Sequence, residues 1–472
     1  MNHAMWFRSD LRLHDNPALH HATQSGPVIA VYAVCEKQWD AHNLSTNKRE
    51  FIIAQLRRLK DDLEKLNIPL IIMNGGDFKS LPEVLLGFCK EHSIDSIFFN
   101  EEYEYNERDL TQSLEALFAS ENIAVHKQHD QCLIEPGSVL NKQGLPYRVF
   151  SAFKKEYLSR FKADLRNIYA LAQPHTQQTS IEVKGDLTLL DTLHYEAFHN
   201  DILKVGEQKA HEQLNEFCQS DLSQYNQHRD FPAIEGTSYL SAYLAVGILS
   251  VRQCYQAAQL ESESAGKETW ISELIWRDFY RHLILLFPRL SQHKAFQIHT
   301  DQLAWKQDET AFKAWCEGNT GYPIVDAAMR QLNQTGWMHN RLRMVVSMFL
   351  TKHLFIDWRW GEGYFMSRLI DADFASNNGG WQWSASTGVD AAPYFRIFNP
   401  VRQSERFDGN GDFIRQYVPE LAGLDAKSIH FPSPEQAQVL GYALPIVDHK
   451  TAVAQTKQNF KTLDKRTNPK SS

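Results

Sequence analysis

The hydrophobic periodicity of this chain changes once, and that change divides it. Through the first 130 residues, short continuous apolar runs alternate with amphipathic helical stretches. Residues 3–7 (HAMWF) and 28–34 (VIAVYAV) read as buried strands, followed by a charged helix at 47–66 and a short strand at 70–73. A helix at 81–92, a strand at 96–100, a helix at 107–119 and a strand at 123–127 repeat the pattern. Strands that are apolar throughout must be covered on both faces, and helices between them make the strands parallel. The expectation over 1–132 is therefore an α/β unit with a doubly wound parallel sheet. No G-x-G-x-x-G follows the first strand, so the usual dinucleotide fingerprint is missing from this sheet.

After Val205 the strands end. Helical patterns occupy 210–218, 239–246, 252–259, 269–286, 322–333, 339–352 and 362–370, which predicts a large all-helical unit over 205–472. Between the two units, 133–204 carries turn signals and the polar run QPHTQQTS at 173–180, and reads as an extended surface connector. The polar stretch 457–472 is expected to fray.

Charge leaves the partner open. A net charge of −8 and a pI near 6.2 give no global signal for nucleic acid, yet phosphate contacts need only a local basic surface. The six cysteines form no C-x-x-C pair, which suits free thiols in a reducing compartment and argues against a disulfide framework or a zinc site. His126-x-x-His129 has a tolerable ligand spacing but no companions, so no metal is expected. Arg8, Asp10 and Arg12 interrupt the early apolar run, and no stretch approaches the ~20 apolar residues of a membrane helix. A cytoplasmic, soluble monomer is the expectation.

The chemistry concentrates in DADFASNNGGWQWSASTG, residues 371–388. Asp371, Asp373, Asn377 and Asn378 are costly to bury without partners, and Gly379-Gly380 suggests a close backbone approach. The segment reads as a loop around a flat, polar, aromatic ligand, against the alternative of a polar surface loop. Nine of the 11 tryptophans lie between Trp270 and Trp383, which points to stacking or electron movement as well as packing. Upstream, EGTSYLSAYLAVGILS (235–250) sets Gly, Thr and Ser before an apolar helix, as either a phosphate cradle or an ordinary N-cap. In TWISELIWRDFYRHL (269–283), Glu273, Trp276 and Arg277 share one helix face, as a base-stacking wall or as an intrahelical ion pair beside a core tryptophan. In GWMHNRLRMVVSMFL (336–350), Asn340 and Met344 lie four apart, with Arg341 and Arg343 as cations for an anionic group.

Together with WFRSDLRLHDNPAL near the N-terminus, GYPIVDAAMRQL and APYFRIFNP, these motifs resemble the photolyase/cryptochrome family, most closely its class I bacterial folate-type enzymes that repair cyclobutane pyrimidine dimers. The resemblance runs from residue 4 to about 450. It implies FAD in the helical unit, held by Tyr225, Thr237, Ser238, Tyr239, Leu240, Ser241, Trp270, Asn340, Arg343, Asp371, Ala372, Asp373 and Asn377. Asn377 is implied to face the flavin nitrogen whose protonation separates the radical states. Trp381, Trp358 and Trp305 match the family's electron-carrying tryptophans. Glu273, Trp276, Arg277, Tyr280, Asn340, Met344 and Trp383 match its lesion pocket, and Arg229, Arg341, Arg396 and Gln403 its contacts to flanking DNA. Enzymes of the (6-4) type carry histidines where Asn340 and Met344 stand. His42, Asn106 and Glu107 match a site for 5,10-methenyltetrahydrofolate as antenna, although Gln292 replaces a lysine that similar enzymes use for its glutamate tail. The competing expectations are a cryptochrome without repair activity and a generic flavin oxidoreductase.

Overall fold

Five strands form the N-terminal sheet: β1 (Asn2–Phe7), β2 (Val28–Val34), β3 (Leu70–Asn74), β4 (Ile94–Asn100) and β5 (Ala124–Gln128). The computed structural model describes residues 2–161, 169–170, 183–195 and 204–463. Every pairing is parallel and the spatial order is β3-β2-β1-β4-β5, so the chain winds outward from β1 in both directions. The unbroken apolar runs sit where they must. β1 is buried along its whole length, whereas the edge strand β5 is largely exposed and polar.

Between the strands lie α1 (Pro17–Ser25), α2 (Glu36–Ala41), α3 (Thr46–Glu64), α4 (Leu81–Glu91) and α5 (Tyr105–Ser120). The sequence reading passed over α1 and α2. The start of α1 was nonetheless written in Asn16-Pro17: the Asn16 side chain accepts from Leu19 N and the proline occupies the first turn.

The connector departs from expectation. It contains a full helix, α6 (Phe150–Phe161), and later returns to the sheet, where Asp186 bridges Ile71 and blunts the exposed edge of β3. Residues 173–180 lie outside the described residues. The helical unit comprises α7 (Glu207–Ser220), α8 (Tyr225–His228), α9 (Ser241–Val246), α10 (Val251–Leu260), α11 (Ala265–Leu286), α12 (Glu309–Glu317), α13 (Pro323–Thr335), α14 (Asn340–Met348), α15 (Trp358–Arg368), α16 (Phe374–Ala385) and α17 (Pro400–Phe407), followed by shorter segments and a last helix, His449–Lys461. The polar stretch expected to fray is therefore helical as far as Lys461, and residues 464–472 lie outside the described residues.

The two units are joined by buried charge. Arg12 and Arg252 both bind Asp130, at 2.5 and 2.6 Å, and Arg252 also binds Asp15 at 2.8 Å. Each of these groups is nearly free of solvent, so the pairing must satisfy nearly all of their hydrogen-bonding capacity. All six cysteines are free thiols. No helix among the described residues is long and apolar enough to cross a membrane.

Candidate functional site

The segment read as a loop is mostly helix. Asp373 caps α16 by accepting from Ser376 N at 2.9 Å, and the chain stays helical through Gly379-Gly380 to Ala385. The glycines do not break it because the helix is held by its neighbours. An added Cβ at Gly379 would strike the ring of Tyr280 on α11, so this position brings α16 against that ring. The polar side chains are paired inside the fold. Asn377 Nδ2 donates to Glu362 O at 3.0 Å, Asn378 Nδ2 to Glu362 Oε1 at 2.8 Å, and Gln382 Nε2 to Asn378 Oδ1 at 2.9 Å.

Both aspartates sit against guanidiniums. Arg343 Nη2 donates to the two oxygens of Asp371 at 3.1 and 2.8 Å, and Arg281 is ion-paired with Asp373. Burial alone would raise the Asp373 pKa, but Arg281 and then Arg277 outweigh it and hold the carboxyl well below the usual range. Sequence reasoning missed Arg281, since nothing in helical spacing announces a partner 92 residues away. It also missed Lys48 on α3, whose Nζ donates to Ala372 O at 2.6 Å, between the two aspartates.

The segment from Thr237 to Ser241 approaches the same region. Tyr239 takes a left-handed φ of 52° and its ring meets Trp337, just before α14, at 4.7 Å. Trp270 Nε1 donates to Ser238 Oγ at 3.4 Å and Gln213 holds Ser238 O at 2.8 Å. Leu240 is buried, Ser241 is exposed, and Thr237 Oγ1 is buried with no partner among the described residues. Tyr225 is buried and lies under the Arg229 guanidinium at 5.2 Å.

A second set faces outward from α11 and α14. Glu273 binds Arg229 at 2.6 Å rather than Arg277, four residues along its own helix. Asp230 then links Arg229, at 3.9 Å, to Arg341, at 2.8 Å. Arg341 also approaches Met344 Sδ at 3.7 Å and lies over the Phe407 ring on α17 at 4.5 Å. Trp276 and Tyr280 are half-buried with rings 5.6 Å apart, Trp383 is half-buried, and Asn340 and Arg396 are exposed. Arg341 Nε and Gln403 Oε1 are buried without partners among the described residues. Arg277 is a correction to the shared-face expectation. Its guanidinium turns to the seam between the units and donates to Gln131 O at 2.5 Å and Leu244 O at 3.4 Å, while Glu273 pairs with Arg229.

Trp381 and Trp358 are buried, while Trp305 is half-buried against the same core cluster. The ring neighbours of Trp381 are Phe365 at 5.0 Å and Trp315 at 6.0 Å, and Trp305 packs on Phe355 at 4.8 Å. A cavity of about 360 Å³ opens between the two units and is lined by His42, Asn106 and Glu107 among others. Asn106 Nδ2 lies 3.0 Å from His42 Nε2, and His42 Nδ1 3.6 Å from Glu107 Oε1. Burial, reinforced by Glu104 and Glu102, pushes the Glu107 pKa well up. Ser291 and His293 line the cavity, and Gln292 between them is exposed. The His126/His129 pair is engaged elsewhere: His126 stacks on Phe98 at 4.4 Å, and His129 bonds Tyr103 Oη at 2.7 Å.

Residues 3–174 match the family model described as DNA photolyase, and residues 270–462 match the FAD binding domain of DNA photolyase. The chain is 46% identical to the deoxyribodipyrimidine photo-lyase of Escherichia coli K12, over 96% of this chain and 97% of that protein. It superposes on a bacterial class III photolyase from Agrobacterium tumefaciens with a TM-score of 0.86 at 36% identity, covering 98% of this chain and 97% of that one. A cryptochrome from Synechocystis gives a TM-score of 0.85 at 28% identity, covering 97% and 98%.

Proposed function

This chain belongs to the DNA photolyase family, and on that premise we propose that it is a deoxyribodipyrimidine photo-lyase that splits cyclobutane pyrimidine dimers in DNA under blue light. The observation that carries the reading is the packing of α16 against both α11 and α14. Through it, the flavin-type set (Asp371 and Asp373 in the turn and cap before α16, Asn377 on α16, Arg343 on α14) and the lesion-type set (Glu273, Trp276 and Tyr280 on α11, Met344 on α14, Trp383 on α16) are brought side by side.

The residues fit FAD. Thr237 brings a buried hydroxyl without a partner, in a segment whose backbone already bends through Tyr239. The paired Asp371 and Arg343, with the Asn377 amide, supply fixed donors and acceptors for a polar ring system and its ribityl chain. Held by these residues, reduced FAD would supply light-driven one-electron chemistry, and splitting the dimer's two carbon–carbon bonds would leave no net redox change.

The chain's own residues do the rest. A lesion that stacks poorly costs less to extrude than an intact base, at most a few kcal/mol. Trp276 and Trp383 receive the extruded dimer by stacking, and Glu273, oriented by Arg229, accepts hydrogen bonds from the pyrimidine edge. Met344 and Asn340 close the pocket, and Arg341, Arg396 and Gln403 meet the flanking backbone. The series from half-buried Trp305 through buried Trp358 and Trp381 provides a route for electrons from the surface. We assign 5,10-methenyltetrahydrofolate to the part of the cavity between the units 1–132 and 205–472 that His42, Asn106 and Glu107 line, in a volume that suits a small cofactor. There Glu107, whose pKa burial pushes up, lines the cavity beside His42 and Asn106. The free thiols suit a cytoplasmic protein, and one chain carries both residue sets, as a monomer requires.

Dimer-containing oligothymidylate provides the test, because splitting restores the 5,6 double bonds and the absorbance near 260 nm. Recovery under blue light with pre-reduced protein, and none in darkness, is expected. Equal recovery in light and dark would refute a light-driven lyase.

A further inference from the structure

The helix that sequence reasoning missed in the connector lies against the lesion wall. α6 meets α11 along one stripe at spacing i, i+3, i+7. Phe150 stacks on Trp276, Phe153 packs on Phe279 at 4.9 Å, and Tyr157 Oη donates to the buried Asp278 at 2.5 Å. The first contact is the closest ring pair in the stripe. The Phe150 and Trp276 centroids are 3.5 Å apart with planes 9° from parallel. Phe150 is itself fixed: it is buried, and its N–H donates at 3.0 Å to Asp390, just beyond the segment that carries Trp383.

We propose that Phe150 is a positioning residue for the lesion pocket, holding the Trp276 ring plane from behind so that the opposite face is ready for an extruded pyrimidine dimer. This rests on the pocket reading above. Phe150 touches neither the dimer nor the flavin in this account. A half-buried indole with one face free would rock about its side-chain torsions, and binding would then have to order it. Face-to-face contact with a clamped phenyl ring removes that freedom beforehand. The connector thus belongs to the substrate site and not only to the link between units.

The test compares equilibrium binding of a duplex carrying one thymine dimer with binding of the same undamaged duplex. Replacing Phe150→Leu keeps bulk and removes the flat face. The preference for the dimer should fall about fivefold, the size of one aromatic stacking contact. Phe150→Tyr should restore it. KM for repair should rise while kcat and the flavin absorption spectrum stay unchanged, which a general loss of structure would not allow. In a Trp276→Ala background, Phe150→Leu should have no further effect on the preference. Should the leucine variant fail to fold, Phe150→Met serves in its place. An unchanged preference, or an effect that adds in full to Trp276→Ala, would overturn the proposal. A wild-type protein that does not prefer dimer to undamaged duplex would overturn the pocket reading along with it.

Discussion

Replacing Gly361 by alanine should disturb Trp381 specifically, and the structure supplies both the size of the effect and its control. Gly361 lies in the first turns of α15, and a Cβ there would fall closer than 3.0 Å to three atoms of the Trp381 ring. The nearest of the three is 2.0 Å away, so restoring an ordinary contact of 3.4 Å requires that edge of the ring to retreat by about 1.4 Å. It has little room to do so. Trp381 is 2% exposed and is bounded by Phe365 and Trp315. Overpacking of this kind costs about 1–3 kcal/mol. Alanine also raises helix propensity by roughly 1 kcal/mol over glycine, which would mask part of the loss. Gly363 on the same helix removes that ambiguity, because its Cβ would meet only Asn43 Nδ2 at 4.0 Å. The propensity gain is common to both variants, so the stability gap between Gly361→Ala and Gly363→Ala should be about 1–3 kcal/mol by denaturant unfolding. Light-driven reduction of oxidised flavin, followed by absorbance, should slow in the first variant only. Equal stability and equal photoreduction in the two would refute the packing argument for Trp381.

Trp381→Phe should abolish photoreduction of oxidised flavin while sparing repair by chemically reduced protein; unchanged photoreduction would remove Trp381 from the electron route. Trp276→Ala should weaken dimer-containing DNA far more than undamaged DNA in a competition gel shift, and equal weakening would place the indole outside the pocket. Acid should destabilise the fold through His339, whose Nδ1 accepts from Arg341 N at 3.2 Å to cap α14, and whose pKa burial pushes down to about 4 from 6.5. Because the folded value is the lower one, the stabilisation is complete above pH 6.5 and is lost as pH falls towards 4, at roughly 1.4 kcal/mol per unit for one such group. His339→Asn keeps a capping acceptor without titrating, so it should flatten part of the slope of the urea midpoint between pH 6.5 and 4.5; an identical slope would contradict this role.

The sheet was legible because its inner strands are short continuous apolar runs, β2 throughout and β1 from Ala4 to Phe7, that alternate with longer amphipathic stretches. The long helices α3, α5 and α11 were legible from apolar residues recurring every three to four positions. α16 was misread because its glycines and amides look like loop chemistry when taken alone. They make sense only once Tyr280 lies against Gly379, Trp381 against Gly361, and Glu362 against Asn377 and Asn378. Helix α6 was hidden by the turn signals before it, and its stripe of Phe150, Phe153 and Tyr157 is visible only against α11. At the site, residue types could be read but their partners could not. Arg229 with Glu273, Arg281 with Asp373 and Asp230 with Arg341 join residues 44, 92 and 111 apart, through packing that spacing along one helix does not encode.

The most direct measurement uses anaerobic, pre-reduced protein with an oligonucleotide carrying one defined cyclobutane thymine dimer, and a second carrying a (6-4) lesion in parallel. Thymine recovery is followed by chromatography under blue light and in darkness. The account predicts light-dependent recovery from the cyclobutane dimer and none from the (6-4) lesion. No recovery from the dimer by protein whose spectrum confirms bound, reduced FAD would contradict it.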